Sequence, residues 1–559
     1  MPTAGRGTGP LAAALSPGYV KMLAVIILNV GAVVGIATVS KLLSKKRHGC
    51  AVAKSPPIHG TAPAEERAKL KAHPLCSGVA PDAAESTKLC VAKMLLHGAK
   101  PLQALAYARN HTLVVNGERG TIREAAIRPP ANLPRLDDLK RTITPNPALL
   151  QRTVVLKLNG GLGTVMGMER AKSLMIVHDR ETFLDIMAEQ VLHLRRAHGP
   201  GLRFMFMNSF NTSEDTMHYL ATRHPALFPD GVDKTAYFRD QMEIMQSTVP
   251  KILRDSYEPA YNGDAREYEW HPPGHGELWN ALEHTGQLDK LLREGYEYMF
   301  VSNGDNLGAT VDLQLLTLMA RDGLDFMLEC AERTQMDVKG SHLAQYIASG
   351  RLLVRDIAQT VESEIGEFYD IHKHNVFNTN SLWVNLRALK DKMRANGGIM
   401  PLPVVRNAKR LVPTDPDTAH VLQLEGSVAS AIELFDKAGA VVVPRSRFSP
   451  VKMCSDLLAV RSDCYYVTPD KSLSLIPSRQ EPPQIRLDDD HYKYVHMLEQ
   501  MFGGAANMVP SLAACTALSI EGPVVFGPGV VIEGDCQIVN KSAKRKTVPP
   551  GRHTGVVVL

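Results

Sequence analysis

A glycine-rich loop followed by a lysine is the stretch of this sequence whose residue types best suit chemistry. An apolar run at residues 153–158 leads into the loop, as a buried strand would, and Lys172 follows it. Because glycine has no Cβ, successive backbone N–H groups of such a loop can point at one anion. A lysine beside them adds a positive charge, so the stretch predicts a site for nucleotide phosphates. The glycines are Gly160, Gly161, Gly163 and Gly167.

The spacing of these glycines excludes two common phosphate-binding motifs. The Walker motif G-x-x-x-x-G-K-[ST] does not fit the loop, and a dinucleotide fingerprint started at Gly161 would place its last glycine on Met166. Residues 159–164, with Lys172 beyond them, instead resemble the nucleotidyltransferase signature of sugar-nucleotide pyrophosphorylases. A tight turn between a strand and a helix is the alternative interpretation of this segment taken alone.

Two further segments carry charged residues that suit a reaction of phosphates. Asp305 comes just after an apolar run at residues 298–302, and its carboxylate would suit Mg²⁺, whose other ligands are phosphate and water. Lys452 ends a basic loop, residues 444–452, that could bind a second phosphate. The alternatives are an Asx turn or helix cap at Asp305 and a solvated surface loop around Lys452.

Two amides and a glycine-flanked histidine complete the candidate residues. Asn378 and Asn380 lie between apolar residues, where amides suit sugar hydroxyls because each offers donors and an acceptor. Gly274 and His275 follow two prolines, and the glycines on both sides of the histidine expose its imidazole to a ligand. A lone histidine is more often structural, and that alternative stays open here.

The hydrophobic pattern predicts an α/β scaffold for these residues. From residue 153 onward, short apolar runs alternate with longer amphipathic stretches, which predicts a mixed or parallel sheet covered by helices. Such folds bind ligands in loops at the carboxyl ends of their strands. Near the C-terminus, residues 524–534 alternate β-rich pieces with glycine turns, a pattern typical of β-helix coils and equally of an ordinary hairpin.

Shifts in composition along the chain predict four regions. We expect a tail, an apolar segment and a linker at residues 1–64, a helical region at 65–150, a catalytic domain at 151–460 and a C-terminal helix with a β-helix-like domain at 461–559. The resemblance of the glycine loop implies that the catalytic domain is a nucleotidyltransferase. The eight cysteines form no C-x-x-C pair, which favours reduced thiols over a zinc site or a disulfide framework.

The basic excess of the chain belongs to its N-terminal region. Seven of the 63 lysines and arginines and none of the 58 acidic residues lie in residues 1–64. The remainder therefore carries 56 basic and 58 acidic residues, a net charge of −2. A body so close to neutral gives no support for nucleic-acid binding.

An apolar segment at residues 22–40 predicts a transmembrane anchor. Its nineteen residues carry no charge and would span about 28 Å as a helix, close to the thickness of a bilayer core. Lys45, Lys46 and Arg47 follow it, so the positive-inside tendency predicts a membrane-anchored protein whose catalytic body faces the cytoplasm. The alternatives are a cleaved secretory signal, an organelle-targeting presequence and a buried helix.

Taken in order, the motifs resemble those of one family, the UTP–glucose-1-phosphate uridylyltransferases, also called UDP-glucose pyrophosphorylases. The resembling segments run from about residue 156 to residue 458, over half of the chain. They read Leu-Asn-Gly-Gly-Leu-Gly-Thr, Met-Asn-Ser-Phe-Asn-Thr, Met-Gln followed by Pro-Lys, Pro-Pro-Gly-His-Gly, Ser-Asn-x-Asp-Asn-Leu-Gly-Ala-Thr, Asp-Val-Lys-Gly, Phe-Asn-Thr-Asn, Gln-Leu-Glu and Pro-Arg-Ser-Arg-Phe-x-Pro-Val-Lys. The resemblance implies a Rossmann-like, GT-A-like nucleotidyltransferase fold with helices on both faces of a mixed sheet, plus a small C-terminal left-handed β-helix domain.

The resemblance also implies a role for each matching residue. Lys172 and Lys452 would contact the phosphates of UTP and of glucose 1-phosphate, and Asp305 would bind Mg²⁺. The residues implied at UTP or its phosphates are Leu158, Asn159, Gly160, Gly161, Gln246, Gly274, His275 and Asn303. Those implied at the glucose are Asn378, Asn380 and Glu425.

The implied reaction transfers UMP from UTP to glucose 1-phosphate and gives UDP-glucose and pyrophosphate. An oxygen of the sugar phosphate would attack the α-phosphorus of UTP in line, while Mg²⁺ and lysine charges stabilise the transferring group. The alternatives are a related uridylyltransferase for galactose or N-acetylhexosamine 1-phosphate, and a non-catalytic membrane-bound sensor of the same fold. Departures from the family pattern at Val165, Arg170, Ala171, Met453 and Cys454 weigh on the preference for glucose more than on the use of UTP. A homo-oligomer through the C-terminal domain is a further expectation.

Overall fold

The strands of this protein follow the short apolar runs of its sequence. The structure is a computed structural model, which describes residues 60–72, 83–263, 265–502 and 508–559. The strands are β1 (Ile127–Arg128), β2 (Thr153–Asn159), β3 (Ile176–His178), β4 (Glu181–Thr182), β5 (Arg203–Asn208), β6 (Glu243–Met245), β7 (Val249–Pro250), β8 (Ile252–Leu253), β9 (Trp270–His271), β10 (Tyr298–Asn303), β11 (Phe326–Glu332), β12 (His342–Tyr346), β13 (Leu352–Arg355), β14 (Val376–Asn385), β15 (Val405–Arg410), β16 (His420–Glu425), β17 (Ala438–Val442), β18 (Tyr465–Val467), β19 (Leu473–Leu475), β20 (Gln484–Leu487), β21 (Ser511–Glu521), β22 (Val524–Phe526), β23 (Val530–Val539), β24 (Lys546–Val548) and β25 (Gly551–Val558).

The helices of the described residues occupy the amphipathic stretches between these strands. They are α1 (Ala64–Lys71), α2 (Glu85–Leu96), α3 (Pro101–Val115), α4 (Leu136–Thr142), α5 (Phe183–His198), α6 (Ser213–Arg223), α7 (Lys234–Tyr237), α8 (Glu277–His284), α9 (Gln287–Arg293), α10 (Leu313–Asp322), α11 (Ile365–Tyr369), α12 (Leu386–Ala395), α13 (Cys454–Arg461), α14 (Asp489–Tyr492) and α15 (Val495–Phe502).

The chain divides into two compact units, each assembled from three stretches of sequence. The first unit consists of the described residues within 1–121, 247–284 and 391–428. The second unit consists of residues 122–246, 285–390 and 429–559. The four-region division expected from composition stays a prediction.

A ten-stranded mixed sheet forms the centre of the second unit. Its main path runs β1-β12-β14-β10-β2-β5-β6, and β11, β13 and β17 pair with members of this path or with each other. The strand β2 is parallel to both of its neighbours, β10 and β5, whereas β14 is antiparallel to β10. Six of the seven residues of β2 are buried, as expected for a strand covered on both faces. The predicted α/β fold with a mixed sheet is confirmed.

The carboxyl ends of three parallel strands meet at one edge of this sheet. Asn303 of β10 is aligned with Leu158 of β2, and Asn159 of β2 is aligned with Asn208 of β5. Parallel neighbours end at the same edge, so the loops that follow them lie side by side. The glycine loop, the loop that carries Asp305 and the loop after β5 are therefore neighbours.

A bulge interrupts the antiparallel pairing of β11 with β14. Glu329 pairs with Ser381, but the next residue, Cys330, pairs with Asn378. Asn380, in the bulge, has a left-handed φ of 60°, which is costly for a residue with a Cβ. Bulges and backbone outliers of this kind concentrate next to functional sites, because there the strain serves to aim a side chain.

The C-terminal part of the second unit contains a small parallel sheet. Its strands follow the order β20-β21-β23-β25, and β22 pairs in parallel with β24. The ordinary hairpin considered for residues 524–534 is not formed, since β22 and β23 pair with other strands. Phe526 of β22 stacks on Phe502 of α15 with ring centroids 5.5 Å apart, which joins this sheet to the preceding helix. The left-handed β-helix stays a prediction.

The first unit combines helices with a small antiparallel sheet. Its sheet has the order β15-β16-β8, and α2 and α3 share an apolar cluster that includes Val91, Leu105 and Ile399. A second apolar cluster joins the same two helices to the strands β7, β8 and β16 and to Val404, the residue before β15. It includes Val249 of β7 and Leu424 of β16. The first unit thus has a hydrophobic core of its own.

The predicted membrane anchor needs correction. In the described part of the chain, no helix is both long and apolar enough to cross a membrane. The prediction of a membrane-anchored localisation is wrong on this finding, and residues 22–40, on which it depended, lie outside the described residues. The prediction depended on composition alone, and an uncharged apolar run of nineteen residues is also compatible with a cleaved signal or a targeting presequence.

Candidate active site

The glycine loop folds back so that its lysine returns to the first glycines. The Lys172 backbone N–H donates to the Gly161 carbonyl oxygen at 3.1 Å. Gly163 and Gly167 both adopt left-handed backbone conformations, with φ of 71° and 72°. A Cβ on Gly163 would lie 3.1 Å from Lys172 Cγ, so that position needs glycine for its backbone and for the room it leaves to the lysine.

We expect Gly163→Ala to destabilise the protein by about 1–2 kcal/mol, because alanine pays the cost of a left-handed backbone. Gly161→Ala is the matched control for stability, since its Cβ would meet no atom within 4 Å and its φ lies outside the left-handed region. Urea denaturation of the two variants measures the difference in unfolding free energy. An equal loss in both variants would contradict the assignment of strain to position 163.

A cleft of about 160 Å³ opens between the glycine loop and the loop after β10. Inside it, Lys172 Nζ lies 2.7 Å from Asp305 Oδ2, and the two side chains are 17% and 22% exposed. This exposure leaves both charged groups accessible to a ligand. The residues that line the cleft are Leu158, Asn159, Gly161, Lys172, Ser173, Phe183, Asn303, Gly304 and Asp305.

Asp305 supplies the carboxylate of this cleft. Within the described residues, no group of three or more histidines, cysteines, aspartates and glutamates is arranged to hold a metal ion. A single carboxylate does not make a zinc site, which takes three or four protein ligands. It does fit Mg²⁺, which uses one or two protein carboxylates and completes its shell with phosphate oxygens and water.

A buried network of amides fixes the ends of β2 and β5. Asn159 Nδ2 donates to Asn208 Oδ1 at 2.8 Å and to Thr216 Oγ1 at 2.9 Å. Asn208 Nδ2 in turn donates to Glu243 Oε1 at 2.7 Å. Both amide protons of Asn159 are thus used inside the protein, so a ligand contact of this residue would come from its Oδ1 or its backbone.

Gly160 lies against the loop after β5 and against Gln246. Ser209 Oγ donates to the Gly160 carbonyl oxygen at 2.8 Å, and the Gln246 backbone N–H donates to the Asn208 carbonyl oxygen at 2.8 Å. A Cβ on Gly160 would lie 2.8 Å from Gln246 Oε1. The Gln246 amide therefore lies next to the first glycine of the loop, as a group that reads the base of a bound nucleotide would require.

The bulge of β14 aims two asparagines at the same edge of the sheet. Asn380 Nδ2 donates to Asn303 Oδ1 at 2.7 Å, and the Asn380 backbone N–H donates to Asn378 Oδ1 at 2.9 Å. Asn380 Oδ1 is buried and has no hydrogen-bond partner among the described residues. One buried acceptor, Asn380 Oδ1, is therefore left beside Asn303. A regular strand without the bulge would not place an acceptor there.

The segment that leads to Lys452 is bonded to the Asp305 loop. The Val451 backbone N–H donates to the Asp305 carbonyl oxygen at 3.2 Å, and Pro450 forms a β-bridge with Asn306. The side chain of Lys452 is exposed. These contacts bring Lys452 to the edge of the sheet that carries Lys172, although the two residues are far apart in the sequence.

Asp456 holds the backbone on either side of the Lys452 side chain. Its Oδ2 accepts hydrogen bonds from the backbone N–H groups of Lys452 and Met453, at 2.8 Å and 2.9 Å. Burial raises the pKa of the Asp456 carboxyl, while these two amides and the charges of Lys172 and Lys452 act in the opposite direction. The charges of both lysines therefore act on the Asp456 carboxylate, which indicates that Lys172 and Lys452 lie near each other.

Three predicted residues belong to the first unit, where they form their own group. Gly274 has a φ of 81°, and a Cβ on it would lie 2.7 Å from the Gly426 carbonyl oxygen and 3.0 Å from Glu425 Cβ. The Val428 backbone N–H donates to His275 Nδ1 at 3.0 Å, so that nitrogen is unprotonated and Nε2 carries the proton of the neutral ring. Burial raises the pKa of the Glu425 carboxyl.

Comparison with known proteins decides which family these elements belong to. A sequence model of the UTP--glucose-1-phosphate uridylyltransferase family matches residues 105–533, which is more than half of the chain. The chain belongs to this family. It is 39% identical over 409 residues to the UTP--glucose-1-phosphate uridylyltransferase of Astragalus penduliflorus, covering 72% of this chain and 81% of that protein. It is also 39% identical over 415 residues to the Saccharomyces cerevisiae protein of the same name, covering 73% of this chain and 77% of the relative.

Solved structures of similar proteins share the fold of this chain. A mutant of the UDP-glucose pyrophosphorylase from Leishmania major, crystallised with UDP-glucose, matches with a TM-score of 0.79 and 42% identity over 85% of this chain and 99% of that chain. The UDP-glucose phosphorylase of Trypanosoma brucei matches with a TM-score of 0.76 and 42% identity over 85% of this chain and all of the other. The family resemblance predicted from the motifs is therefore confirmed.

Within this uridylyltransferase, the second unit brings together most of the residues predicted from sequence. They are Leu158, Asn159, Gly160, Gly161, Lys172, Gln246, Asn303, Asp305, Asn378, Asn380 and the backbone of Lys452. Gly274, His275 and Glu425 are brought together separately in the first unit.

The sequence argument missed three residues that support the site. Ser173 lines the cleft with a buried hydroxyl that has no partner among the described residues, and its position directly after Lys172 could have revealed it. Asp456 is the third residue of α13 and lies three positions after Met453, the residue that caps this helix. This capping spacing is also visible in the sequence. Asp215 accepts the Ala171 backbone N–H at 3.0 Å, and no local pattern predicts this contact across 44 residues.

Proposed function

We infer that this chain catalyses the reaction of its family, in which UTP and glucose 1-phosphate give UDP-glucose and pyrophosphate. The observation that carries the inference is the meeting of three family motifs at one sheet edge in the second unit. Lys172 of the glycine loop contacts Asp305, and the segment that ends in Lys452 is bonded to the backbone of Asp305.

The proposed mechanism depends on charge and position. Both substrates are anions, so cations have to offset their repulsion before the sugar phosphate can attack the α-phosphorus of UTP in line. We assign Lys172 to the phosphates of UTP and Lys452 to the phosphate of glucose 1-phosphate. The attacking oxygen is already ionised near neutral pH, so the mechanism requires no general base, and holding the two phosphates together carries the rate.

The contact between Lys172 and Asp305 is compatible with these assignments. The ammonium group of Lys172 has three donors, and Asp305 Oδ2, at 2.7 Å, uses one of them. The other donors remain for phosphate oxygens in the cleft. Asp305 would hold Mg²⁺ together with those phosphates, and the ion would supply charge that stabilises the transferring phosphoryl group.

The remaining assignments follow the order of the motifs. We propose that the loop residues Leu158 to Gly161 and Asn303 bind the nucleotide and that Gln246 reads its base. The unpartnered Oδ1 of Asn380 supports a contact of the Asn378 and Asn380 amides with sugar hydroxyls. The roles of Gly274 and His275 at the nucleotide and of Glu425 at the sugar stay predictions of the resemblance.

A sugar panel tests the proposed function. Pyrophosphate release from UTP is measured with glucose 1-phosphate, galactose 1-phosphate and N-acetylglucosamine 1-phosphate in the presence of Mg²⁺. We expect the highest kcat/KM with glucose 1-phosphate. Equal or better turnover of another sugar would replace the substrate assignment, and no turnover of any sugar would favour a non-catalytic protein.

The finer description of the C-terminal part is also a proposal. We propose that its parallel strands are coils of a left-handed β-helix and that they support the assembly of a homo-oligomer. The strand β25 lies at the end of the sheet order, and its Val556 and Val558 are 68% and 69% exposed. An exposed apolar edge of this kind is typical of a surface that another chain covers.

A further inference from the structure

A buried ion pair lies beside the strands and loops that carry the sugar-phosphate residues. Glu329 of β11 and Arg447 of the loop before Lys452 are 0% and 8% exposed. Arg447 Nε donates to Glu329 Oε2 at 2.7 Å, and the Arg447 guanidinium nitrogen Nη2 donates to Glu329 Oε1 at 2.8 Å. This two-pronged contact fixes the direction of both side chains, because the planar fork of arginine fits a carboxylate in one geometry.

Glu329 also holds the bulge that carries the two asparagines. Its backbone carbonyl oxygen accepts the Thr379 hydroxyl at 2.6 Å, and its Oε1 accepts Trp383 Nε1–H at 3.0 Å. Thr379 lies between Asn378 and Asn380, and the change of register in β14 occurs opposite Glu329. Glu329 therefore contacts the irregular part of β14 through its backbone and the regular part next to it through its side chain.

Hydrogen bonds hold Arg447 in place within the loop that ends in Lys452. Its Nη2 also donates to the Thr310 carbonyl oxygen at 2.8 Å. Asn306 Nδ2 donates to the Arg447 carbonyl oxygen at 3.1 Å, and Asn306 Oδ1 accepts the Ser449 N–H at 3.0 Å. The loop thus runs from the arginine along the Asp305 loop towards Lys452, and Asn306 holds it at Arg447 and at Ser449.

The approach of this loop to the Asp305 loop is close at Gly308. A Cβ on Gly308 would lie 2.3 Å from the Ser446 carbonyl oxygen and 2.9 Å from the Arg447 carbonyl carbon. The two backbones are in close contact there, so a displacement of the Arg447 loop would also displace the Asp305 loop. Lys452 lies five residues further along this constrained path.

Stability alone is a weak reason for such a pair. Burial lowers the pKa of the Arg447 guanidinium, but the charge and hydrogen bonding of Glu329, together with the charge of Asp312, outweigh that effect and raise the pKa overall. Taking two charges out of water is costly, and apolar residues of similar volume often replace a buried pair without loss of stability. A geometric role is a better account of a pair that contacts two site segments.

We propose that the Glu329–Arg447 pair is a positioning device for the sugar-phosphate half of the site. It holds the Asn378–Asn380 bulge and the Lys452 loop at a fixed separation, and so it determines the affinity for the sugar 1-phosphate. Neither residue contacts the substrates. The proposal rests on the function inferred above, and it extends that function to two residues whose motifs do not by themselves assign them a task.

The proposal predicts that KM for the sugar phosphate changes more than KM for UTP. Residues of the glycine loop and Gln246 make none of the hydrogen bonds above to Glu329 or Arg447, so we expect a smaller effect on the binding of UTP than on that of the sugar phosphate. A displacement of about 1 Å at Lys452 or at the bulge can cost up to roughly 100-fold in rate or affinity. We therefore expect KM for the sugar phosphate to rise by about 10- to 100-fold, with KM for UTP changed by less than about threefold.

The test removes both charges of the ion pair together. In the double variant Glu329→Gln and Arg447→Met, both charges are absent, and glutamine keeps an acceptor for Trp383 Nε1. Full-length variant protein is checked by thermal unfolding, and both KM values are measured by pyrophosphate release. The matched control is the double variant Arg203→Met and Glu294→Gln. It removes a partly buried ion pair in which Nη2 of Arg203, the first residue of β5, lies 2.8 Å from Glu294 Oε2. We expect unchanged KM values in this control.

Arg447→Lys keeps the test decisive if the double variant does not fold. It retains the buried charge but lacks the two-pronged fork, so we expect a smaller rise in the same KM. A folded variant with both KM values unchanged, or with both raised equally, would overturn the positioning role. The wild-type sugar panel decides the proposed function separately, and the ratio of the two KM values is then measured with whichever sugar 1-phosphate the wild type accepts.

Discussion

Lys452→Ala is expected to lower kcat by roughly 100- to 1,000-fold while the protein stays folded, as for the loss of one preorganised charge at a transition state. The side chain of Lys452 is exposed, and the contacts that hold its segment are made by backbone atoms. The substitution therefore removes a charge from the site without removing a contact that maintains the fold. Steady-state pyrophosphate release measures kcat, and thermal unfolding checks the fold.

Two further variants make the Lys452 result specific. Lys541→Ala removes another exposed lysine, in the C-terminal sheet region, and should leave kcat unchanged. Lys452→Arg keeps the charge with a different shape, so it should retain more activity than alanine. Near-normal kcat in Lys452→Ala would show that this lysine does not contact the transferring group.

Asp305→Asn is expected to lower kcat/KM by about 100- to 1,000-fold and to raise the Mg²⁺ concentration needed for half-maximal rate. The carboxylate is the one acidic side chain that lines the described cleft, and it lies 2.7 Å from Lys172 Nζ. An amide keeps the shape of the side chain but loses the charge that attracts a cation. A titration of rate against Mg²⁺ at saturating UTP measures the effect.

The stability of Asp305→Asn separates a functional loss from a folding defect. Both partners of the Lys172–Asp305 pair remain partly exposed, so losing the pair should change the unfolding free energy by less than about 1 kcal/mol. Asp322→Asn removes a surface aspartate paired with Arg321 and should leave both stability and Mg²⁺ dependence unchanged. If Asp305→Asn keeps the Mg²⁺ dependence of the wild type, another group binds the ion.

The sequence predicted the central strands because burial leaves a local mark. The runs at residues 153–158 and 298–302 became β2 and β10, both almost entirely buried. Four clustered glycines likewise require a tight loop, and two of them do take left-handed conformations. Such features depend on a few consecutive residues, which a single sequence contains in full.

The errors and omissions of the sequence analysis also have a physical cause. The membrane prediction used the composition of one segment, and the described helices did not support it. The irregular backbone of Asn380 and the buried acceptor of Glu329 leave no periodic signal, because each depends on a partner more than fifty residues away. The pairing of strands, which brings such partners together, is not encoded in local hydrophobicity.

The sequence by itself determined the kind of chemistry: a glycine loop with a lysine, a carboxylate after a strand and a second lysine at the end of a basic loop. Their motifs were specific enough to identify the family. Only the tertiary structure decided that Lys172 contacts Asp305 across 133 residues and that Arg447 contacts Glu329 across 118. The reason is that these contacts depend on the order of strands in the sheet, which is a property of the whole chain.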